Sequence, residues 1–330
     1  MKRRIIKQGH NTMTITLPIK WVNQHNLKPG TEIDLLERDE GLLLLTQPSF
    51  GDTKKIEINI IGKDIPTIWK YFMAVYREGY DEIIVKFDPK ERLEYPHKFY
   101  VKRRLDIKKK QPVVTRPISE VIQYFVDRFI GLEIIEHGKD YIVMKEMGEV
   151  TNKEFNNSLR RIFLLVQQMA EEVVEAINSN NIEILNHTQD VDINLDKFHD
   201  YCIRILNKIG NGKTKKIPLY FSTLYLLEML GDEFKNISLH LVNDLPKARL
   251  RNLRELAESV KEEFEEYYNL FYKFDAEKVN KLSQIDREIY MRVPEIHKKV
   301  GEEEKEIFHH LRMIGRYINA LMELRIEMEF

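Results

Sequence analysis

With a single cysteine, Cys202, in 330 residues, the chain cannot form an internal disulfide, a zinc ribbon or a CxxC redox centre. Glycine and proline are scarce at 14 and 11 residues, which excludes collagen-like and low-complexity disordered classes and favours a helix-rich globular protein. Long apolar runs are missing too. Uncharged stretches such as Ile217 to Leu227, of eleven residues, fall well short of the roughly 20 that a membrane helix needs. The basic start, Met1 to Lys7, leads into a stretch broken by Thr, His and Asn with no cleavage-like end, so no signal peptide is expected. A soluble, cytoplasmic protein is the expectation. Enzyme signatures are also wanting: there is no Gly-rich phosphate loop and no G-x-S-x-G elbow, and Cys202 is read as a core residue rather than a nucleophile. Finally, residues 1 to 30 hold no Asp or Glu but contain Lys2, Arg3, Arg4, Lys7, Lys20 and Lys28. Inside a chain of net charge -1, only this end is suited to a polyanion.

The chain is 43% hydrophobic and 32% charged, and its length exceeds what one core usually serves, so two or three domains are expected. Residues 1–48 read as short strands around one small helix. Met13, Ile15 and Leu17 alternate with threonines, Pro18 ends the ladder, Ile19 to Asn26 suits two helical turns, and Asp39-Glu40-Gly41 joins a hairpin. So small a unit needs a partner, most simply a second copy of itself. Residues 53–148 read as a small α/β domain. Its strands are expected near 55–61, 82–87 and 132–144 and its helices near 65–78 and 118–129, with a basic insertion carrying Lys102-Arg103-Arg104 and Lys108-Lys109-Lys110. Such a run is a nucleic-acid candidate, although most are solvated loops. From residue 151 onward, apolar residues recur at three and four, which predicts helices near 151–179, 181–209, 217–243, 246–273, 275–299 and 302–328. That spacing suggests two antiparallel three-helix bundles, about 151–243 and 246–330, and an internal duplication.

Asp192 and Asp196 lie four apart on one predicted helix, and Glu228 and Asp232 lie four apart on the next. Each pair presents two carboxylates on one face. If the faces meet, four oxygens converge in a manner suited to Mg²⁺, Mn²⁺ or iron, with His199 as a further ligand. The same spacing also arises on solvated helix faces. Glu228 follows a helix apolar nearly all round, however, where a buried carboxylate needs a cation or its proton.

The stretch Leu227-Glu228-Met229-Leu230-Gly231-Asp232-Glu233-Phe234-Lys235-Asn236-Ile237 resembles the Glu-Arg-Ile-Gly-Asp-x-x-x-Asn-Ile signature of PhoU-family proteins. Asp192-Ile193-Asn194-Leu195-Asp196 followed by Phe198 is similar to that family's Asp-x-x-Ile-Asp-x-Leu element. The resemblance implies tandem three-helix bundles, acidic motifs able to hold metal clusters, and a regulatory role in phosphate homeostasis, with a phosphate transporter component as partner. In the second bundle the signature becomes Arg312-Met313-Ile314-Gly315-Arg316, and Leu282 precedes Ile285-Asp286. Metal binding in the family manner is therefore expected only of the first.

The N-terminal unit resembles the AbrB/SpoVT/MazE family through Ile6-Lys7-Gln8-Gly9, Asn11-Thr12, Ile15-Thr16-Leu17-Pro18 and Leu27-Lys28-Pro29-Gly30-Thr31-Glu32. That likeness implies a swapped-hairpin β-barrel formed by a homodimer, laid on DNA through Arg3, Arg4, Lys7, His10, Asn11 and Thr12. Positions that are basic in many members hold Thr14, Thr16, Val22 and Asn23 here. The expectation is thus a multidomain α+β, non-enzymatic DNA-binding regulator of phosphate uptake. The alternatives are a phosphate-signalling adaptor that binds a transporter or kinase and dimerises through its N-terminus, and a carboxylate-bridged metalloprotein.

Overall fold

The computed structural model describes residues 3–9, 12–24, 27–38, 41–45, 53–95, 114–148, 150–209, 216–244 and 250–330. His10, Asn11 and the basic run from Lys102 to Lys110 lie outside them. Two compact units emerge, Met1–Thr53 and Lys54–Phe330.

In the first unit β1 (Ile6–Gln8) pairs antiparallel with β2 (Thr12–Thr14), and Gly9 takes the positive φ that the turn requires. The six-residue α1 (Ile19–Gln24) follows Pro18, whose carbonyl accepts from the amides of Trp21 and Val22. A second ladder joins β3 (Asp34–Arg38) to β4 (Gly41–Leu45). The described strands make these two separate ladders and no closed barrel. The β2 strand is shorter than its alternation suggests and ends before Ile15. Ile5, Ile6, Met13, Ile15 and Ile19 are exposed, as expected of so small a unit without a partner.

The second unit begins with a four-stranded sheet of order β5-β6-β10-β9, formed by β5 (Lys55–Asn59), β6 (Glu82–Lys86), β9 (Leu132–His137) and β10 (Tyr141–Glu146). Strands β5 and β6 run parallel, as a β-α-β connection through α2 (Ile65–Arg77) requires. Asp64 caps α2 by accepting from the Thr67 amide at 3.0 Å. Helix α2 buries Ile68, Phe72, Val75 and Tyr76 with Ile118, Val121, Ile122 and Phe125 of α3 (Ile118–Val126) against Ile83, Val85, Ile142 and Met144 of the sheet. The basic insertion is not simply a loop. Its ends pair as an antiparallel ladder of β7 (Arg92–Tyr95) and β8 (Val114–Pro117).

Helices α4 (Asn152–Ser179), α5 (Thr188–Ile209) and α6 (Ile217–Asp244) pack together, as do α7 (Arg254–Tyr272), α8 (Ala276–Lys299) and α9 (Lys305–Glu327). Thr151 and Glu154 form a reciprocal capping box at the start of α4, and left-handed Asn180 follows its end. The two bundles share one hydrophobic core from Phe155 to Met322. They are joined where α4 meets α7 and α6 meets α9. At the first junction Phe163 of α4 lies among Phe264, Tyr267, Tyr268, Phe271 and Tyr272 of α7. No helix among the described residues is long and apolar enough to cross a membrane.

Candidate ligand cavity and its charged wall

Every fourth residue along one face of α5 carries a charge, and the sign changes midway: Asp192, Asp196, Asp200, Arg204, Lys208. A spacing of four keeps all five on one stripe. Four of them meet charges of opposite sign on the α/β domain. Arg128 reaches Asp196 at 3.1 Å, and Arg77 reaches Asp200 at 2.5 Å. Arg204, almost wholly buried, pairs with Glu146 at 2.9 Å and donates to the carbonyls of Tyr76 at 2.6 Å and Tyr80 at 2.8 Å. Lys208 bridges Asp81 and Glu146. Asn207 adds a bond to the Arg77 carbonyl at 2.7 Å. The α/β domain is thereby fixed to the first bundle, with each buried charge given a partner, as a low-dielectric contact demands.

Where the two parts diverge they leave a cavity of about 540 Å³, within the ordinary range for small-ligand sites. One wall is aromatic and comes from the α/β domain: Ile65, Trp69, Tyr95 and Phe125. Asp192 and Asp196 of α5 face Asp232, Lys235 and Asn236 of α6 across the other side. Lys235 Nζ lies 3.1 Å from both oxygens of Asp192 and also contacts Asp232. The guanidinium of Arg128, paired with Asp196, stands 5.2 Å over the Trp69 ring.

The expected acids are thus brought to neighbouring helices, and three of the four line the cavity. Their partners are the side-chain cations Lys235 and Arg128, and the only gathering of metal-type donors within 4.8 Å among the described residues is elsewhere. His199 does not join them. It is buried beside Asp200, with Nδ1 3.4 Å away and its ring 5.0 Å from that of Tyr225. Glu228 does not line the cavity and makes no ion pair among the described residues; burial first, then Asp232, pushes it up to about 7. Asp196 is pushed up to about 8 by burial and then by Asp192, against the pull of Arg128. About a third of its side chain still faces the cavity, so its proton can exchange there. Burial also raises Asp192, though Lys235 opposes it. Burial works against the Lys235 ammonium, but Asp192 and Asp232 hold it above the usual lysine range. Chemically, the cavity offers a flat apolar wall opposite a set of protonatable carboxyls braced by two cations. It suits a small ligand with an apolar face and a hydrogen-bonding or charged edge. Cys202, by contrast, is fully buried core, its thiol raised by burial.

Arg3, Arg4, Lys7 and Thr12 are all exposed in the first unit. Residues 6–51 match the family model described as antidote-toxin recognition MazE, bacterial antitoxin. The N-terminal unit is a MazE/AbrB-like domain. Thr14 Oγ1 donates to the Ile6 carbonyl at 3.2 Å across the paired strands of this MazE-like domain. Gly30, at φ 90°, closes the turn in which the Thr31 amide donates to the Lys28 carbonyl. Among solved structures, the chain is similar to that of PhoU from Pseudomonas aeruginosa, at 15% identity and a TM-score of 0.47, covering 53% of this chain and 94% of that one. No curated protein matches the sequence.

Sequence reasoning found the acids and missed their partners. Lys235 stands three residues after Asp232, a helical spacing open to inspection, and the charge stripe on α5 is equally visible. Trp69 and Arg128 carry no such signal. Arg128 is 68 residues from Asp196, and only tertiary packing reveals the pair.

Proposed function

We propose that the protein is a cytoplasmic, non-enzymatic DNA-binding regulator of phosphate uptake or homeostasis, acting as a homodimer or higher oligomer, whose cavity receives the effector. The observation that carries this reading is the MazE-like match over residues 6–51, in a unit that exposes Arg3, Arg4 and Lys7. Phosphate contacts from such residues supply most of the affinity of a DNA-binding surface and make it salt-dependent. The exposed apolar set from Ile5 to Ile19 supports pairing with a second copy, in which hairpins swap to close the barrel. The phosphate link rests on the Glu228 to Ile237 signature and its upstream acidic element, and a phosphate-transporter component is the protein partner that follows.

The test is an electrophoretic mobility shift with the full chain on its own upstream DNA. A shift that weakens with salt, and is lost in the Arg3→Ala/Arg4→Ala/Lys7→Ala variant, supports the reading. Absence of a shift, together with dimerisation and capture of a transporter or kinase subunit, would favour the adaptor reading instead, in which the same apolar surface serves only to dimerise. A carboxylate-bridged metal site in the first bundle has less support, because Lys235 and Arg128 already pair with three of its four acids.

A further inference from the structure

Helix α6 presents two functional faces. Asp232, Lys235, Asn236 and Leu239 line the cavity, while Glu233 and His240, seven residues apart, lie on an adjoining face that meets α9. There His240 of α6 and Glu306 and His310 of α9 bring one ligand atom each to within 4.8 Å of one another. Glu306 and His310 are four apart on α9, so both point the same way. Glu233 contacts His310 Nδ1. A carboxylate in that position holds the proton on Nδ1, fixes the ring and leaves Nε2 as a lone-pair donor, the outer-shell arrangement that accompanies metal-bound imidazole.

From this geometry we infer that His240, Glu306 and His310 form a binding site for a divalent transition-metal ion, with Glu233 orienting His310. Two imidazoles and one carboxylate select a first-row transition ion such as Zn²⁺ over Mg²⁺ or Ca²⁺, which favour oxygen-only shells. A zinc tetrahedron with bonds of about 2.0 Å needs donors roughly 3.3 Å apart. Side-chain rotation, mostly of exposed Glu306, closes that gap. The ion would staple α6 of the first bundle to α9 of the second, across the seam where the bundles already share a core. Only three protein donors converge, so water or an added ligand completes the shell. The site involves neither the MazE-like domain nor the carboxylates of the cavity, so its fate is independent of the DNA-binding reading.

Titration of the full-length, metal-free chain with Zn²⁺ by calorimetry, and with Co²⁺ by visible absorption, tests the site. One equivalent per chain is expected, with a d–d spectrum of low-symmetry, nitrogen-containing coordination. Glu306→Gln, at an exposed position that leaves the core intact, and His310→Gln should each abolish that equivalent. Glu233→Gln should weaken it by about 10- to 100-fold, the usual effect of losing an outer-shell partner. The Asp192→Asn/Asp232→Asn variant should bind as the parent does. Absence of Zn²⁺ binding, unchanged binding in Glu306→Gln and His310→Gln, or loss confined to the Asp192→Asn/Asp232→Asn variant would each overturn the assignment.

Discussion

The two helical bundles place different chemistry on matching positions. In the first, Asp192 and Asp196 of α5 and Glu228 and Asp232 of α6 stand near a cavity, with Lys235 and Arg128 between them. At the corresponding places in the second are Leu282, Asp286, exposed Arg312 and exposed Arg316. Asp286 accepts from Asn319 at 3.2 Å. Beside it the second bundle keeps a different acid, Glu263, wholly buried, with neither carboxyl oxygen hydrogen-bonded among the described residues. Burial, and then Asp286, raises Glu263 well above the ordinary carboxylate value. One bundle therefore holds an acid, Asp196, that can change charge near neutrality at a cavity, while the other buries Glu263 in its core. Access to a cavity, rather than the number of acids, separates the two bundles.

The largest expected effect concerns the charge stripe that only the first bundle carries. Arg204→Ala leaves the Tyr76 and Tyr80 carbonyls without its bonds and takes one of two cations from Glu146, and should cost about 3 kcal/mol, toward the low end for a buried pair because Lys208 stays on Glu146. Arg316→Ala, on the exposed face of the second bundle, should stay within about 0.5 kcal/mol of the parent. Urea unfolding of both variants measures the contrast, and equal losses would remove it. Next, Glu263→Met should stabilise the protein by about 1–3 kcal/mol, the usual penalty for an unpartnered buried polar group. A destabilised variant would mean that Glu263 has a partner.

The motif glycines sharpen the same comparison at a smaller scale. A Cβ on Gly315 would meet Glu263 Oε2 at an ordinary 3.5 Å, whereas one on Gly231 would meet the buried Leu195 Cδ1 at 2.7 Å. Gly315→Ala should gain most of the ~1 kcal/mol helix-propensity difference, and Gly231→Ala should gain none, as thermal unfolding will read. The remaining contrast is in pH dependence. Asp196, near 8, holds its proton in the folded chain at pH values where the unfolded chain, near 3.8, has lost it. Folding stability therefore falls as pH rises between those values and levels off above about 8. Asp196→Asn should flatten part of that slope, and an unchanged slope would place the titration elsewhere.

The helices of both bundles were legible because apolar spacing reports a helix directly, and the boundaries at Thr151 and Asp275 carry capping chemistry. The β7–β8 ladder was not, since Val114–Pro117 lacks alternation, Arg92–Tyr95 alternates over only four residues, and the two pair across a long insertion. His240 and His310 stand apart in the sequence with nothing local to link them, although Glu306 and His310 show a helical spacing of four.

What the sequence by itself determined is therefore local and periodic: the order of helices and strands, the acid-free basic start, the paired acids and the loss of those acids in the second bundle. Tertiary structure alone decided what each charge faces. It gave Asp192 a lysine and Asp196 an arginine, closed Glu263 away from both, and turned the α/β domain into the aromatic wall of a cavity. The physical reason is range, because helical periodicity acts over a few residues, whereas the dielectric surroundings and the partner of a charge depend on segments that fold back from far along the chain.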